Sequence, residues 1–177
     1  WLADVDAPHV GAPGAGFHLL DPANAVYLPH LPARTLVTCH DLLQVRAALG
    51  EFPQQRVGRS GRRYQAWLLR NLGRAPLAAC ISWKTRRDLL RLTPLSPARV
   101  TVVPLGLNHD YRRLDPGVAW SRLAGQGDPA APLAPGDSFL LNVGGGQWYK
   151  NRPGLLQIFH ALRTRHHYAG RLVIVGT

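Results

Sequence analysis

The stretch Phe139-Leu-Leu-Asn-Val-Gly-Gly-Gly-Gln-Trp-Tyr-Lys-Asn151 joins an apolar strand to a helix through three glycines and a lysine. Because Gly144, Gly145 and Gly146 lack a Cβ, the backbone can turn there with positive φ and bring its N–H groups close to a ligand. Lys150 adds a positive charge, and the periodic apolar residues that follow predict a helix whose N-terminus faces the same anion. The stretch therefore predicts a strand–turn–helix unit that binds a phosphate.

A second interpretation of this turn is structural, since glycine-rich turns also let a helix fold back tightly on its sheet. The segment lacks the Gly-Lys-Ser/Thr ending of a nucleoside triphosphate loop. It also lacks the last glycine of the dinucleotide fingerprint, which disfavours a nicotinamide-dependent oxidoreductase. A diphosphate ligand is compatible with the segment, and Asn151 is expected to cap the helix that follows.

Strands and helices alternate along the chain, which predicts an α/β fold with parallel sheets and ligands at the carboxyl ends of the strands. The predicted strands are residues 25–28, 35–39, 77–81, 100–103, 139–143 and 172–175. The predicted helices follow Asp41 and Ser82 and cover 61–72, 118–123 and 153–165. Ser82 is expected to cap its helix, with Asp88 on the outer face of that helix.

Composition places the chain among globular proteins, with 177 residues of which 46% are hydrophobic. No apolar run approaches the roughly 20 residues that span a bilayer, and no signal segment opens the chain, so a cytoplasmic protein is predicted. Cys39 and Cys80 lie in apolar strands, where a small buried side chain is the usual role. Neither a disulfide framework nor a metal site is indicated.

The two ends of the chain suggest a fragment. The sequence contains no methionine and opens on Trp1, so residue 1 is not expected to begin a natural translation product. At the other end, residues 171–177 read as a buried parallel strand that reaches its first turn glycine, where an α/β chain normally enters its next helix.

The net charge of +11 raises the question of a polyanionic partner. Basic residues crowd one stretch that also contains tyrosine, tryptophan and leucine: Arg56, Arg59, Arg62, Arg63, Arg70 and Arg74. This stretch is compatible with a basic amphipathic helix on a membrane surface, and equally with the solvated face of an ordinary helix. Nucleic acid is disfavoured as a partner, because no helix-turn-helix, zinc or stacking signature accompanies the charge.

Three blocks, taken in order, carry a family resemblance. They are Val37-Thr-Cys-His-Asp-Leu42, then Ile81-Ser-Trp-Lys-Thr-Arg-Arg-Asp-Leu89 with Val102-Val-Pro-Leu-Gly-Leu107, then residues 142–151 with Leu172-Val-Ile-Val-Gly176. Together they resemble the retaining glycosyltransferases of family 4, which have the two-lobed GT-B fold.

The resemblance implies two Rossmann-like lobes, both incomplete here. Residues 1–107 would be the later part of the first, acceptor-side lobe, residues 108–137 the crossover, and residues 138–177 the start of the nucleotide-sugar-binding lobe.

The reaction that the resemblance implies is transfer of a sugar, such as a hexose, from a nucleotide diphosphate sugar to a glycan or lipid-linked acceptor. Configuration would be retained, and neither a metal ion nor another cofactor would take part. His40 would approach the donor sugar as the catalytic residue, although a histidine after a strand is also often only structural. Gly144, Gly145, Gly146, Lys150 and Asn151 would bind the donor diphosphate. Asp41 is expected to cap the next helix rather than to act as a base.

The sequence departs from the family pattern in three places. Gly145 stands where many members carry a second phosphate-binding arginine, and Pro104-Leu-Gly-Leu-Asn108 replaces the usual Pro-Asn-Gly-Val-Asp. The paired glutamates that hold the donor sugar and ribose would lie beyond Thr177, so the fragment is predicted to be inactive alone. The alternative function is a non-catalytic basic module that binds anionic membrane or nucleic acid, with residues 56–74 as a peripheral contact at the inner membrane face.

Overall fold

Two separate parallel sheets, each connected through helices, form the framework of the chain in a computed structural model that describes residues 16–123 and 133–176. This architecture confirms the predicted α/β class. The chain divides into two compact units, Trp1–Asn108 and His109–Thr177, called here the first and second units. The start at Trp1, part of the predicted linker and Thr177 lie outside the described residues.

The sheet of the first unit contains four parallel strands in the order β1-β2-β3-β4. Their bounds are Phe17–Leu19 for β1, Thr35–Cys39 for β2, Leu77–Cys80 for β3 and Val100–Val102 for β4. Cys39 and Cys80 are register partners at the carboxyl ends of β2 and β3. The residues after these two strands therefore leave the sheet at the same edge.

Three α-helices and two 3-10 helices accompany this sheet in the described part of the first unit. They are α1 (Leu43–Ala48), α2 (Arg59–Leu72) and α3 (Trp83–Leu92), with 3-10 helices at Pro22–His30 and Pro97–Arg99. The hydrophobic core joins β2, β3, α2, α3 and the first 3-10 helix, and it fully buries Val37, Leu72 and Leu89. Each such side chain contributes roughly 1.5–3 kcal/mol through removal of apolar area from water.

The described residues of the second unit form two parallel strands in register, β5 (Phe139–Val143) and β6 (Arg171–Val175). Helix α4 (Pro116–Leu123) precedes them, and α5 (Arg152–Arg165) connects them after a 3-10 turn at Trp148–Lys150. The strands β2 and β5 have the bounds expected from the sequence. The bounds predicted for helices α2, α4 and α5 agree with the structure within two residues. The strand–turn–helix–strand order of this unit is therefore as predicted.

The predicted strand at residues 25–28 is wrong, because this stretch belongs to the 3-10 helix Pro22–His30. Asp21 caps that helix by accepting a hydrogen bond from the Ala23 N–H at 2.7 Å, and Pro22 suits its first position. Ala25 and Leu28 are both buried, as the near-eclipsed i and i+3 positions of a 3-10 helix allow.

The expected outward position of Asp88 is also wrong. Asp88 is only 7% exposed and forms ion pairs with Arg46 at 3.3 Å and with Lys84 and Arg91 of its own helix. Trp83, the first residue of α3, is 74% exposed although its side chain is apolar. The ion pair between Asp88 and Arg46 of α1 therefore helps to determine which face of α3 is buried. The sequence pattern of α3 alone does not contain this information.

Candidate functional site

His40 follows β2 directly and is held at two points. Its Nε2 lies 2.9 Å from the Leu20 carbonyl oxygen, and since a carbonyl only accepts, Nε2 carries the proton. The main-chain oxygen of His40 accepts a hydrogen bond from Thr85 Oγ1 at 3.1 Å. In the neutral ring, Nδ1 is therefore the nitrogen with a lone pair for a ligand.

Thr85 owes its position to the cap of α3. Ser82 accepts a hydrogen bond from the Thr85 N–H at 3.1 Å, and the two hydroxyls lie 3.0 Å apart. This confirms the expectation that Ser82 caps the helix. Because Thr85 is buried and also binds the His40 carbonyl, the cap connects the end of β2 to the start of α3.

A cavity of about 210 Å³, called here the His40 pocket, opens beside this histidine within the first unit. Its wall includes Asp41, whose Oδ1 accepts a hydrogen bond from the Leu43 N–H at 2.9 Å. This contact forms a turn just before α1, but the N-cap position of α1 is Leu42 and has no side-chain cap, so the expected cap at Asp41 is wrong. The sequence did not indicate that residues of α2 line the same cavity, and the residues that matter for its chemistry are Asp21, His40, Asp41, Tyr64, Gln65 and Leu68.

The glycine loop lies at the carboxyl ends of β5 and β6 and differs from expectation in its backbone. None of Gly144, Gly145 and Gly146 has a positive φ; the left-handed positions nearby are Asn151 (51°) and Gly176 (115°). Gly144 instead extends the strand pairing, because its N–H donates to the Val175 carbonyl at 2.9 Å. The chain turns later, through the 3-10 turn that ends at Asn151.

The groups that the loop offers to a ligand follow from this geometry. The N–H groups of Gly145 and Gly146 have no acceptor among the described residues, whereas that of Gly144 is occupied. Lys150 is exposed, with its Nζ 5.6 Å from the centroid of the Tyr149 ring. Within residues 16–123 and 133–176 it pairs with no carboxylate. Its charge is therefore available to an anion.

Asn151 caps α5 as expected, since its Oδ1 accepts a hydrogen bond from the Gly154 N–H at 3.3 Å. The next residue, Arg152, was not identified from the sequence. Its Nη2 donates to the carbonyls of Gly144 at 2.8 Å and Gly176 at 2.7 Å, so one guanidinium joins the ends of both strands. Its Nε is buried and without a partner among the described residues.

A signal for Arg152 did exist in the sequence. A cation in the first turn opposes the helix dipole, so an arginine directly after a cap residue needs another partner. Here the partners are carbonyl oxygens at a strand end. Arg152 therefore adds a second cation to the edge of the sheet that carries Lys150.

Comparison with known families identifies the chain. The model of Glycosyltransferase Family 4 matches residues 3–111, which is more than half of the sequence. The chain belongs to this family. The match includes His40 and the Ser82 cap, and the glycine loop lies beyond it. A search of curated proteins found no significant match.

Metal-ion clusters and membrane-spanning helices are both absent from the part of the glycosyltransferase that the structure describes. In the described ranges, no three His, Cys, Asp or Glu side chains are grouped so that they could hold a metal ion. No helix in the same ranges combines the length and the apolar character needed to cross a bilayer.

Proposed function

We propose that this glycosyltransferase transfers a sugar, such as a hexose, from a nucleotide diphosphate sugar to a glycan or lipid-linked acceptor. The configuration at the anomeric carbon is retained, and no metal ion takes part. Residues 1–107 belong to the acceptor-side lobe, residues 108–137 are the crossover, and residues 138–177 begin the donor-binding lobe. The parallel sheets of the two units and the family membership support this assignment.

The observation that carries the proposal is Lys150 in the loop of the second unit, which pairs with no carboxylate of the described residues. A leaving nucleoside diphosphate develops negative charge, and an enzyme without a metal must stabilise that charge with its own cations and N–H groups. Lys150 and the N–H groups of Gly145 and Gly146 have no such partner in the part of the chain that the structure describes, so they can serve this purpose. Arg152, which holds the loop through the Gly144 carbonyl, adds charge where the family's usual arginine is replaced by Gly145.

His40 is proposed to contact the donor sugar. Its Nε2–H is committed to Leu20, so Nδ1 would accept a hydrogen bond from a sugar hydroxyl. The hydrogen bond from Thr85 to its main-chain oxygen limits movement of the residue. A group held in this way loses little conformational entropy when a substrate binds.

The chain alone is proposed to transfer no sugar. The resemblance implies a pair of glutamates that hold the donor sugar and ribose, whereas Glu51 is the one glutamate in the sequence. Glu51 is engaged with Arg46 at 2.7 Å and Arg91 at 2.8 Å. It is therefore not free for a donor.

Calorimetric titration of UDP, GDP and ADP into the full-length enzyme that contains this chain tests the proposal. One nucleotide is expected to bind, and Lys150→Ala to weaken its binding at least about tenfold, equivalent to about 1.4 kcal/mol. Arg163→Ala is the matched control, because Arg163 is an exposed cation of α5 away from the loop. Absence of binding by all three nucleotides, or an equal loss in both variants, would contradict the diphosphate site.

Retention is tested separately by NMR of the early product. The anomeric proton coupling is expected to show the same configuration as the donor. An inverted product would refute the retaining mechanism and leave the diphosphate site standing.

A second candidate function is peripheral binding to anionic membrane through residues 56–74. The specific observation is that Trp67 is 48% exposed on α2 beside Tyr64, with ring centroids 6.1 Å apart, amid exposed arginines. Aromatic side chains with flanking cations are typical of interfacial helices. Sedimentation with phosphatidylserine vesicles is expected to fall in Arg63→Ala and Trp67→Ala and with added salt. Equal sedimentation with neutral vesicles would reject this candidate.

A further inference from the structure

Two polar side chains of the 3-10 turn at Trp148–Lys150 lie against the glycine loop. A Cβ placed on Gly145 would be 2.5 Å from Gln147 Oε1 and 2.7 Å from Gln147 Nε2, closer than a real Cβ approaches other atoms. A Cβ placed on Gly144 would be 3.9 Å from Lys150 Cδ. The Gln147 carboxamide therefore occupies the space that a side chain at position 145 would need, and the stem of Lys150 passes beside Gly144.

The geometry of the turn explains why both side chains reach the loop. The Lys150 N–H donates to the Gln147 carbonyl at 2.9 Å, which closes one 3-10 turn between them. Side chains three positions apart in such a turn are nearly eclipsed. Gln147 and Lys150 therefore leave the turn on the same side, in agreement with their contacts to neighbouring glycines.

These contacts give Gly145 a role other than a left-handed backbone. Its φ is not positive, so residues with a Cβ can adopt its backbone conformation. What a Cβ would disturb is the position of the Gln147 carboxamide. The absence of a side chain at position 145 thus serves a neighbouring side chain.

The Gln147 carboxamide is available to a ligand. Gln147 is exposed, and its side chain has no hydrogen-bond partner in the part of the chain that the structure describes. It lies beside Gly145, whose N–H also has no acceptor among those residues, and Lys150 adds positive charge on the same side. A side-chain amide donates two hydrogen bonds, and hydrogen bonds to a charged acceptor are stronger than those between neutral groups.

We propose that Gln147 binds a diphosphate group directly through its side-chain NH₂, and that position 145 is glycine because this side chain needs the space. Gln147 supplies neutral donors and Lys150 supplies the charge. The N–H groups of Gly145 and Gly146 complete the site. That the diphosphate belongs to a nucleotide sugar rests on the proposed function.

Variants of Gln147 itself distinguish direct binding from a structural role. Gln147→Ala removes the donors, so diphosphate binding is expected to weaken at least about tenfold. Gln147→Glu keeps the size of the side chain but presents a carboxylate that repels the anion. It is therefore expected to bind more weakly than Gln147→Ala.

Variants of Gly145 test the reason for the glycine. Gly145→Ala keeps an allowed backbone but displaces the Gln147 carboxamide, so its loss of affinity is expected to resemble that of Gln147→Ala. In the double variant Gly145→Ala/Gln147→Ala, no carboxamide remains to be displaced. Its loss is therefore expected to equal that of Gln147→Ala alone.

Calorimetric titration of the full-length enzyme with inorganic pyrophosphate, UDP, GDP and ADP measures these effects. Gln157→Ala, at an exposed position of α5, is the matched control and is expected to leave binding unchanged. Melting temperatures of all variants are expected to match that of the unmodified enzyme, because the changed side chains lie outside the buried core.

Three results would overturn the proposal: binding of none of the four anions, equal binding in the unmodified enzyme and either Gln147 variant, or losses that multiply in the double variant. The outcomes also separate it from the proposed function. Pyrophosphate binding that depends on Gln147, without binding of any nucleotide, would uphold the role of Gln147 and contradict the nucleotide donor. Nucleotide binding that is lost in Lys150→Ala but unchanged in Gln147→Ala would do the reverse.

Discussion

At the scale of single residues, several side chains satisfy the backbone and position the site at the same time. His40 is fixed through Leu20 and Thr85, and Arg152 joins the ends of two strands through Gly144 and Gly176. These are contacts of side chains with main-chain carbonyls. Such contacts set the path of a loop without any requirement for a particular partner side chain, which makes them difficult to recognise in a sequence.

Asn151 combines a left-handed backbone with a helix cap, which leads to the first prediction. Asn151→Ala removes the cap and places alanine, which has a Cβ but no hydrogen-bonding group, at φ 51°. We therefore expect the stability of α5 to fall by about 1–2 kcal/mol. Asn151→Gly accepts the backbone and should cost only about a few tenths of a kcal/mol. Amide hydrogen exchange of α5 in the two variants measures both values. Equal protection in the two would show that the left-handed position carries no strain.

The thiols of Cys39 and Cys80 form a buried pair across β2 and β3. The side-chain hydrogen bond with Cys80, followed by burial, raises the pKa of the Cys39 thiol well above its ordinary range. Because both side chains are fully buried, we expect neither thiol to react with dithiobis(nitrobenzoate) in the native protein. In concentrated guanidinium chloride both should react. Rapid reaction of one thiol under native conditions would contradict the buried pair.

At the scale of elements, a charge network holds α1 to α3. Arg46 of α1 binds Asp88 of α3 and Glu51, and Arg91 of α3 reaches the same two carboxylates. The Arg46 guanidinium also lies 4.7 Å from the centroid of the Phe52 ring. These contacts connect residues 42 positions apart and keep the helices that follow β2 and β3 in place.

Asp88→Asn tests the energetic role of this network. The change leaves Arg46 half-buried with one carboxylate fewer, so we expect the free energy of unfolding to fall by about 2–3 kcal/mol. Asp110→Asn is the matched control, since the Asp110–Arg112 pair is exposed, with 71% and 79% of the two side chains accessible. Its loss should cost less than about 1 kcal/mol. Urea denaturation measures both, and equal effects would contradict the importance of burial.

At the scale of the whole molecule, the stability of this positively charged chain depends on pH, and Glu51 contributes to that dependence. Hydrogen bonds from Arg46 and then Arg91 lower the pKa of Glu51 in the folded protein below its ordinary value of 4.5. A lowered folded pKa means that the unfolded state binds the proton more readily, so stability increases with pH across this range. The contribution of Glu51 is complete above about pH 4.5 and is lost as the pH falls through the folded pKa.

The corresponding prediction compares the chain with Glu51→Gln from pH 6 down to pH 3. Melting temperatures should fall with acidification in both, because eight histidines and the other basic groups add repulsion to a net charge of +11. The fall below about pH 4.5 should be smaller in Glu51→Gln, since its amide does not titrate. Identical pH profiles would show that the Glu51 ion pairs contribute nothing to stability.

The sequence by itself determined the order and type of most elements, the family, and the two helix caps at Ser82 and Asn151. These features depend on residues one to four positions apart, and such patterns can be read directly from the chain. The exceptions are the strand expected at residues 25–28, where Asp21 and Pro22 start a 3-10 helix, and the short strand β1 (Phe17–Leu19), which no sequence pattern predicted.

Only the tertiary structure decided which side of α3 is buried, how His40 is oriented, and that Gln65 of α2 shares a cavity with Asp21 and Asp41. The sequence predicted positive φ angles at the three glycines of the loop, whereas the structure has them at Asn151 and Gly176. Each of these depends on groups that meet from distant parts of the chain: Asp88 with Arg46, Leu20 with His40, and Gly144 with Val175. Local periodicity contains no information on these long-range contacts, because they are determined by the pairing of strands and the packing of helices.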